Sequence, residues 1–508
     1  MTNWLKIIKI MKPNNNFSDL VDELSTEIKI KKPCKFGTLV RVVGLTLEAR
    51  GLEAPLGAIC EIVGSDNSNK VEAEVVGFQD QVLFLMPFTE PIGINPGATV
   101  KIKNPNALAE IGPELLGRVI DANGEPLDGK LPPKCSNLLP LRGMSINPME
   151  RGPIKKVLDV GVKAINSFLT IGQGQRIGLV AGSGVGKSSL MGMLTRFTKA
   201  DIVVIGLIGE RGREVQAFIS ESLGAEGLAK SVVIAAPANI SPVLRLRATQ
   251  LSHLIAEYFR DEGKNVLMMI DSLTRVAHAQ REVGLAIGEP PTAKGYPPSV
   301  FSLLPNLIER AGVGKFGHGS ITAVYTVLAE NDDTSDPIVD IARASLDGQV
   351  ILARKLADSA HYPSIDLNGS ISRVMQNLVD EQTHLISGKF RRLWSLYQQN
   401  EDLIQVGAYK AGTNPELDEA IKLRPSMVSF LQQDMNTPED FAVSISKIRD
   451  LIDKSSPIQS PQAVKPNIKL SQTENSQLQA TNSANLKPSN NSSAKAASNF
   501  NTGNRLIQ

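Results

Sequence analysis

The sequence predicts an α/β protein with a mostly parallel sheet, a small β-barrel before it and a helical domain after it. Three observations predict this. Residues 35–103 break into short β-prone runs separated by turn residues. Residues 106–373 alternate near-continuous apolar runs with amphipathic stretches. Residues 374–453 carry helical patterning with only short turn breaks such as Gly412-Thr413-Asn414-Pro415. The 508-residue length accommodates several domains, and 42% hydrophobic with 21% charged residues is ordinary for a soluble globular chain. The expected division is 1–28 a helical segment, 29–105 the barrel, 106–373 the α/β domain, 374–454 the helical domain and 455–508 a tail.

In the first segment Phe17, Leu20, Val21, Leu24 and Ile28 recur at helical spacing. Such a helix either packs on its own domain or serves as a docking handle for a partner. Trp4 to Met11 is apolar but interrupted by Lys6 and Lys9. It is too short for a membrane span and has no small-residue cleavage site, so the chain reads as cytoplasmic, with any membrane association peripheral.

The barrel strands are expected at Thr38–Val43, Ala58–Val63, Val71–Phe78, Gln81–Pro87 and Thr99–Ile102. Gly51, Asp66-Asn67 and Pro96-Gly97 supply the turns.

The α/β domain opens on its most informative segment. The apolar run Ile177–Val180 leads into Ala181-Gly-Ser-Gly-Val-Gly-Lys-Ser188, and Leu190, Met191, Leu194 and Phe197 follow at helical spacing. Strand, glycine-rich turn and helix form the context of a phosphate-binding loop. Gly182, Ser183, Gly184, Val185 and Gly186 would turn their backbone N–H groups onto a phosphate, with Ser189 completing the cradle. Lys187 supplies a full charge to the terminal phosphates and the Ser188 hydroxyl a ligand for Mg2+. Ala181 stands where the motif has glycine, and fits if its φ is negative. A glycine-rich connection that binds nothing is the bland alternative, but Gly-Lys-Ser at such a junction has no packing purpose.

Further strands are expected at Ile202–Leu207, Ser231–Ala235 and Val266–Ile270, and helices around Val215–Leu223 and Leu251–Phe259. Gly284 to Pro298 reads as a long loop. Asp271 ends an apolar strand expected beside the phosphate loop, where a carboxylate can orient the Mg2+ shell; its alternative is to cap the next helix. Glu210, in Gly209-Glu-Arg-Gly-Arg-Glu214, follows a strand and is the candidate to polarise an attacking water. Arg211 and Arg213 could bind phosphate or brace Glu210, and Glu214 suits the first turn of a helix.

Other chemistries find little support. Cys34, Cys60 and Cys135 lack metal-ligand spacing and read as reduced thiols, and the five histidines are scattered. A net charge of +2 without interleaved aromatic and basic residues argues against nucleic acid as a partner. The tail after Ser455, rich in Ser, Asn, Gln and Pro, reads as disordered.

Taken together, Ala181–Ser188, Gly209–Glu214 and Met269-Ile-Asp-Ser-Leu-Thr-Arg275 resemble the catalytic subunits of rotary ATPases. So do Ile287-Gly-Glu-Pro-Pro-Thr-Ala-Lys-Gly-Tyr-Pro-Pro-Ser-Val-Phe301 and Ser370-Ile-Ser-Arg-Val-Met375. More narrowly, they resemble the ATPases of type III protein export. Thr38–Arg50 and Tyr397–Tyr409 are similar to the flagellar branch. The resemblance covers nearly all of 35–453. It implies a P-loop, RecA-like core that hydrolyses ATP with Mg2+ in a homo-hexameric ring. It also implies that Tyr362 stacks on adenine and that Arg373 is an arginine finger reaching a neighbouring subunit's γ-phosphate. Leu367-Asn-Gly369 departs from the family's pattern, and Gly369 would loosen the segment that carries Arg373. The implied setting is the inner-membrane export apparatus. There the N-terminal segment would bind a stator or regulator, and the helical domain would face the export gate and chaperone–cargo complexes. An injection-type export ATPase, a non-catalytic nucleotide-binding subunit, an RNA translocase and a true ATP synthase subunit remain alternatives at this point.

Overall fold

The computed structural model describes residues 35–64, 69–143, 146–328 and 336–453. The expected N-terminal helix, the tail, Cys34 and the Asp66-Asn67 turn lie outside these residues.

Strands β1 (Phe36–Val43), β2 (Thr46–Arg50), β3 (Ile59–Val63), β4 (Lys70–Gln79), β5 (Val82–Pro87) and β6 (Thr99–Asn104) close into a barrel in the order β1-β2-β5-β4-β3-β6. Alternate residues Leu39, Leu47, Ala49, Cys60, Ile62, Ala73 and Leu85 fill its interior. Strand β2 is absent from the sequence-based expectation, which ended the first run at Val43. Gly44, at φ +55, turns the chain back and pairs Val43 with Thr46 as a hairpin.

After β7 (Leu108–Ile111), β8 (Arg118–Ile120) and β9 (Asn137–Pro140), the main sheet takes β10 (Arg176–Ala181), β11 (Ile202–Ile208), β12 (Ser231–Ala236) and β13 (Asn265–Asp271). It is completed by β14 (Gly312–Val313), β15 (Ser320–Leu328), β16 (Gly348–Leu352) and β17 (Ile371–Ser372). The order is β17-β16-β10-β15-β13-β11-β12-β8, with β14 on β15. Neighbours from β16 to β8 are parallel, and β17 is antiparallel.

The strands are apolar throughout because both faces are covered. In β11, Val203, Ile205 and Leu207 face one cluster and Ile202, Val204 and Ile208 the other. The first cluster takes Leu190 and Leu194 of α1 (Lys187–Phe197). The second takes Leu251, Ile255 and Phe259 of α2 (Pro242–Asp261), Val276 of α3 (Leu273–Ala286) and Leu304 of α4 (Pro298–Arg310). Met86 and Phe88 of the barrel pack on Val243 and Val283 of α2 and α3. The helices α5 (Glu381–Gln399), α6 (Pro415–Leu431) and α7 (Phe441–Asp453) join the first cluster through Phe390, Trp394, Met427 and Ile448.

Two local expectations need correction. Gly284 to Ala286 belong to α3, and a short 3-10 turn occupies Ala293–Gly295. Gly284 is a close-approach glycine: a Cβ there would lie 2.8 Å from Pro297 Cγ. The segment around Val215–Leu223 is no single α-helix. It runs as Gly212–Ala217 in α form, Phe218–Leu223 in π form and Gly224–Ala229 in α form.

Candidate nucleotide site

The C-terminal edge of a parallel sheet gathers strand ends, and the candidate residues are those that leave it there. Ala181 ends β10 in extended conformation, so the missing glycine costs nothing. Gly184 and Gly186 adopt φ of +77 and +91, where a side chain would be strained. The loop is fixed from outside: Arg354 Nη2 donates to the Ser183 carbonyl at 3.0 Å, and Ser364 Oγ to that of Val185 at 2.6 Å. Helix α1 starts at Lys187, leaving Ser188 and Ser189 exposed in its first turn. The unpaired N–H groups of that turn face anions favourably.

Lys187 Nζ lies 2.6 Å from Asp271 Oδ1 and 3.3 Å from Glu210 Oε1. All three side chains are mostly buried. Burial opposes the charge on Lys187, but the two carboxylates outweigh it and raise its pKa. Glu210 is pushed up to about 7, first by burial, then by the Asp271 charge, against the pull of Lys187. Its carboxyl also shares a hydrogen bond with Glu214, which is held below its usual range by that bond. Arg211, largely exposed, pairs with Glu214 at 3.2 Å and so reaches Glu210 only through it.

One positional expectation fails. Strand β13 is not beside β10, because β15 lies between them. That strand supplies a residue the sequence reading missed: Thr326 Oγ1 donates to Asp271 Oδ1 at 2.6 Å. A threonine in an apolar strand carries no local signal of such a role. Asp271 does not cap the following helix either; Ser272 does, accepting from Arg275 N at 3.3 Å. Glu210 follows β11 through Gly209, whose φ is +72.

Tyr362 is half-exposed at the mouth of the loop. Its ring carbons lie 3.4–3.5 Å from where a Cβ on Gly186 would stand. Arg373 stands elsewhere. It is exposed, its N–H donates to Asp347 O at 3.0 Å, and its guanidinium donates to Arg343 O at 3.1 Å. Asp347 holds Arg176 N at the start of β10, whereas the loop leaves the end of that strand. The segment before Arg373 is tied down rather than loosened by Gly369. Leu367 is fully buried, Gln349 Nε2 donates to Gly369 O at 3.1 Å and Ser370 Oγ accepts from Ile351 N at 2.9 Å.

Among the described residues no cluster of three His, Cys, Asp or Glu is placed to hold a metal. The Ser188 hydroxyl and the Asp271 carboxylate are nonetheless hard oxygen donors, the chemistry that suits Mg2+ beside a nucleotide's own phosphates.

A glycine-rich loop at the end of a central parallel strand, with lysine and two carboxylates converging on it, defines a P-loop nucleotide-binding protein. The chain matches the ATP synthase alpha/beta family in its nucleotide-binding domain over residues 161–372 and its beta-barrel domain over 39–104. It matches the T3SS EscN ATPase C-terminal domain over 379–450. It is 53% identical to the flagellum-specific ATP synthase of Pseudomonas aeruginosa, over 83% of this chain and 94% of that protein. The flagellum-specific ATP synthase of Salmonella typhimurium is also 53% identical, over 82% of this chain and 93% of that protein. The type 3 secretion system ATPase of Xanthomonas euvesicatoria is 47% identical, over 78% and 90%. In structure, the chain resembles the assembled ATPase EscN from the enteropathogenic E. coli type III secretion system. The TM-score is 0.78 and the identity 40%, covering 82% of this chain and all of that one. The chain belongs to the type III export ATPases, in the flagellum-specific ATP synthase branch of the ATP synthase alpha/beta family.

Proposed function

We propose that this chain hydrolyses ATP to energise type III protein export, in its flagellar form. The observation that carries the reading is the convergence of Lys187, Glu210 and Asp271 on one phosphate loop. The loop amides and Lys187 bind the phosphates. Ser188 and Asp271 would hold Mg2+, which when bound neutralises charge on the phosphates. Glu210, with a carboxyl near neutrality, accepts the proton of the attacking water. Tyr362 stacks on the adenine. Arg211, through Glu214, restrains Glu210.

Arg373 cannot serve the loop of its own subunit, since the two occupy opposite ends of β10. It completes a neighbour's site in a homo-hexameric ring. The solved relative EscN has been seen assembled and in complex with its central stalk EscO, which supports both a ring and a stalk-like regulatory partner here. The N-terminal segment 1–28 binds a stator or regulator, and the C-terminal helices face the export gate and chaperone–cargo complexes. Among the described residues no helix is long and apolar enough to cross a membrane, which is compatible with peripheral attachment at the inner-membrane export apparatus. Two flagellar relatives at 53% identity, against 47% for the secretion relative, favour the flagellar reading over the injection-type one.

Phosphate release from Mg2+-ATP by the purified chain and by Glu210→Gln tests the reading. Turnover by the wild type that is lost in the variant is expected. Equal release by both would make the site a non-catalytic nucleotide holder.

A further inference from the structure

The chain between α6 and α7 crosses the site without belonging to any motif. Its backbone touches the base side of the loop: Gln433 N donates to Tyr362 O at 3.0 Å. Its side chain reaches the opposite way, toward the entry to the nucleotide-binding domain. Gln433 Oε1 accepts from Lys163 N at 2.8 Å, and Nε2 donates to Gly161 O at 2.8 Å and Thr437 O at 2.7 Å. Both kinds of atom in the amide are therefore used, on three separate backbone groups. Further along, Arg196, at the last turn of α1, donates to Met435 O at 2.7 Å and Asn436 Oδ1 at 3.1 Å. Phe441 N and Asn166 Nδ2 meet on the Asp159 carboxylate, at 2.9 and 2.8 Å. The strap 432–441 thus spans the phosphate-loop helix, from the tyrosine over Gly186 to the far end of α1.

We propose that Gln433 is a positioning residue for the nucleotide base: its side-chain amide fixes the strap, and the strap holds Tyr362 over the phosphate loop. Tyr362 is half-exposed, so packing alone does not fix its ring. Ser364 anchors the backbone on the loop side and Gln433 on the strap side, and removing one anchor frees the ring to swing from Gly186. The phosphate grip does not pass through the strap, so the base should lose affinity while the phosphates keep theirs. The inference rests on Tyr362 as the base-stacking residue.

The test is steady-state ATP hydrolysis by Gln433→Glu and Gln433→Ala, with inorganic tripolyphosphate as a competitive inhibitor that lacks a base. Glutamate keeps the acceptor for Lys163 N but turns a carboxylate onto two carbonyls; alanine removes all three bonds. Stacking of a base on an aromatic ring is strong enough that the KM for ATP should rise on the order of tenfold in both variants. The kcat should change by less than about twofold and the tripolyphosphate Ki should stay fixed, because the chemistry and the phosphate grip are untouched. Tyr362→Ala should show the same pattern, and Tyr362→Ala/Gln433→Ala should raise KM no further than Tyr362→Ala alone. An unchanged KM in the Gln433 variants, a Ki that rises with KM, or additive effects would each overturn the proposal. If Tyr362→Ala moves KM while the Gln433 variants do not, only this inference fails. If Tyr362→Ala leaves KM unchanged, the base-stacking reading fails with it.

Discussion

Lys187 and Arg373 stand at opposite ends of strand β10. The lysine follows the loop that leaves Ala181, and the arginine is bonded to Asp347, which holds Arg176 N at the strand's start. The strand between them spans about 17 Å at ~3.3 Å per residue. On the role proposed for it, Arg373 therefore serves a γ-phosphate held by another copy of this chain.

That separation predicts complementation. Arg373→Ala should bind ATP as the wild type does but turn over ~10³-fold more slowly, the scale of an arginine finger in P-loop enzymes. Glu210→Gln should be equally inactive. Mixed in one preparation, the two variants should recover a fraction of wild-type activity, since a ring then contains sites with both groups intact. Phosphate release from the mixture is the measurement, and an inactive mixture of assembled rings would contradict action between subunits.

The elevated pKa of Glu210 predicts an acid limb. A general base must be deprotonated, and a raised pKa keeps the proton on until higher pH. The kcat/KM for ATP should therefore climb with pH and level off above about 7. A profile that is flat across that range would remove Glu210 from the proton transfer.

Thr326→Val keeps the shape of the side chain and deletes its donor to Asp271. A hydrogen bond to a charged group contributes about 1.5–3 kcal/mol. The expected loss in kcat/KM is about tenfold or more, accompanied by a higher Mg2+ requirement, both read by titrating the metal at fixed ATP. Wild-type metal dependence in the variant would make the contact incidental.

Glu74 lies in β4 near the seam between barrel and sheet, and burial raises its pKa to about 7 against the pull of Arg247 and Arg142. The sign follows from linkage. With the folded pKa above the unfolded one, the stabilising contribution is complete below the unfolded value and is lost as pH rises through about 7. Glu74→Gln should therefore raise the melting temperature at about pH 8 and leave it nearly unchanged at about pH 4, which thermal unfolding at both pH values decides. A variant less stable at the higher pH would show that the carboxylate is instead held by its arginines.

Much of this protein was legible in its sequence because the deciding physics is local. Period-two and period-3.6 patterns follow from how one segment meets a core, so the barrel, the sheet and the closing helices could be read off in order. The positive φ of Gly184 and Gly186 is likewise a property of the turn itself. Strand β2 escaped because the expected run ended at Val43 and the five residues beyond the Gly44 hairpin are too short to signal a strand by themselves, and the π segment at Phe218–Leu223 escaped because α and π turns share residue preferences.

What only the tertiary structure decided is which strand ends become neighbours. Strand order placed β15 between β10 and β13, and so brought Thr326 onto Asp271 across 55 positions of sequence. It also set Arg373 at the wrong end of the sheet for its own loop, and laid Gln433 between Tyr362 and Gly161. Contacts of that range depend on chain crossings, whose cost and reward are shared by the whole fold, and no local pattern records them.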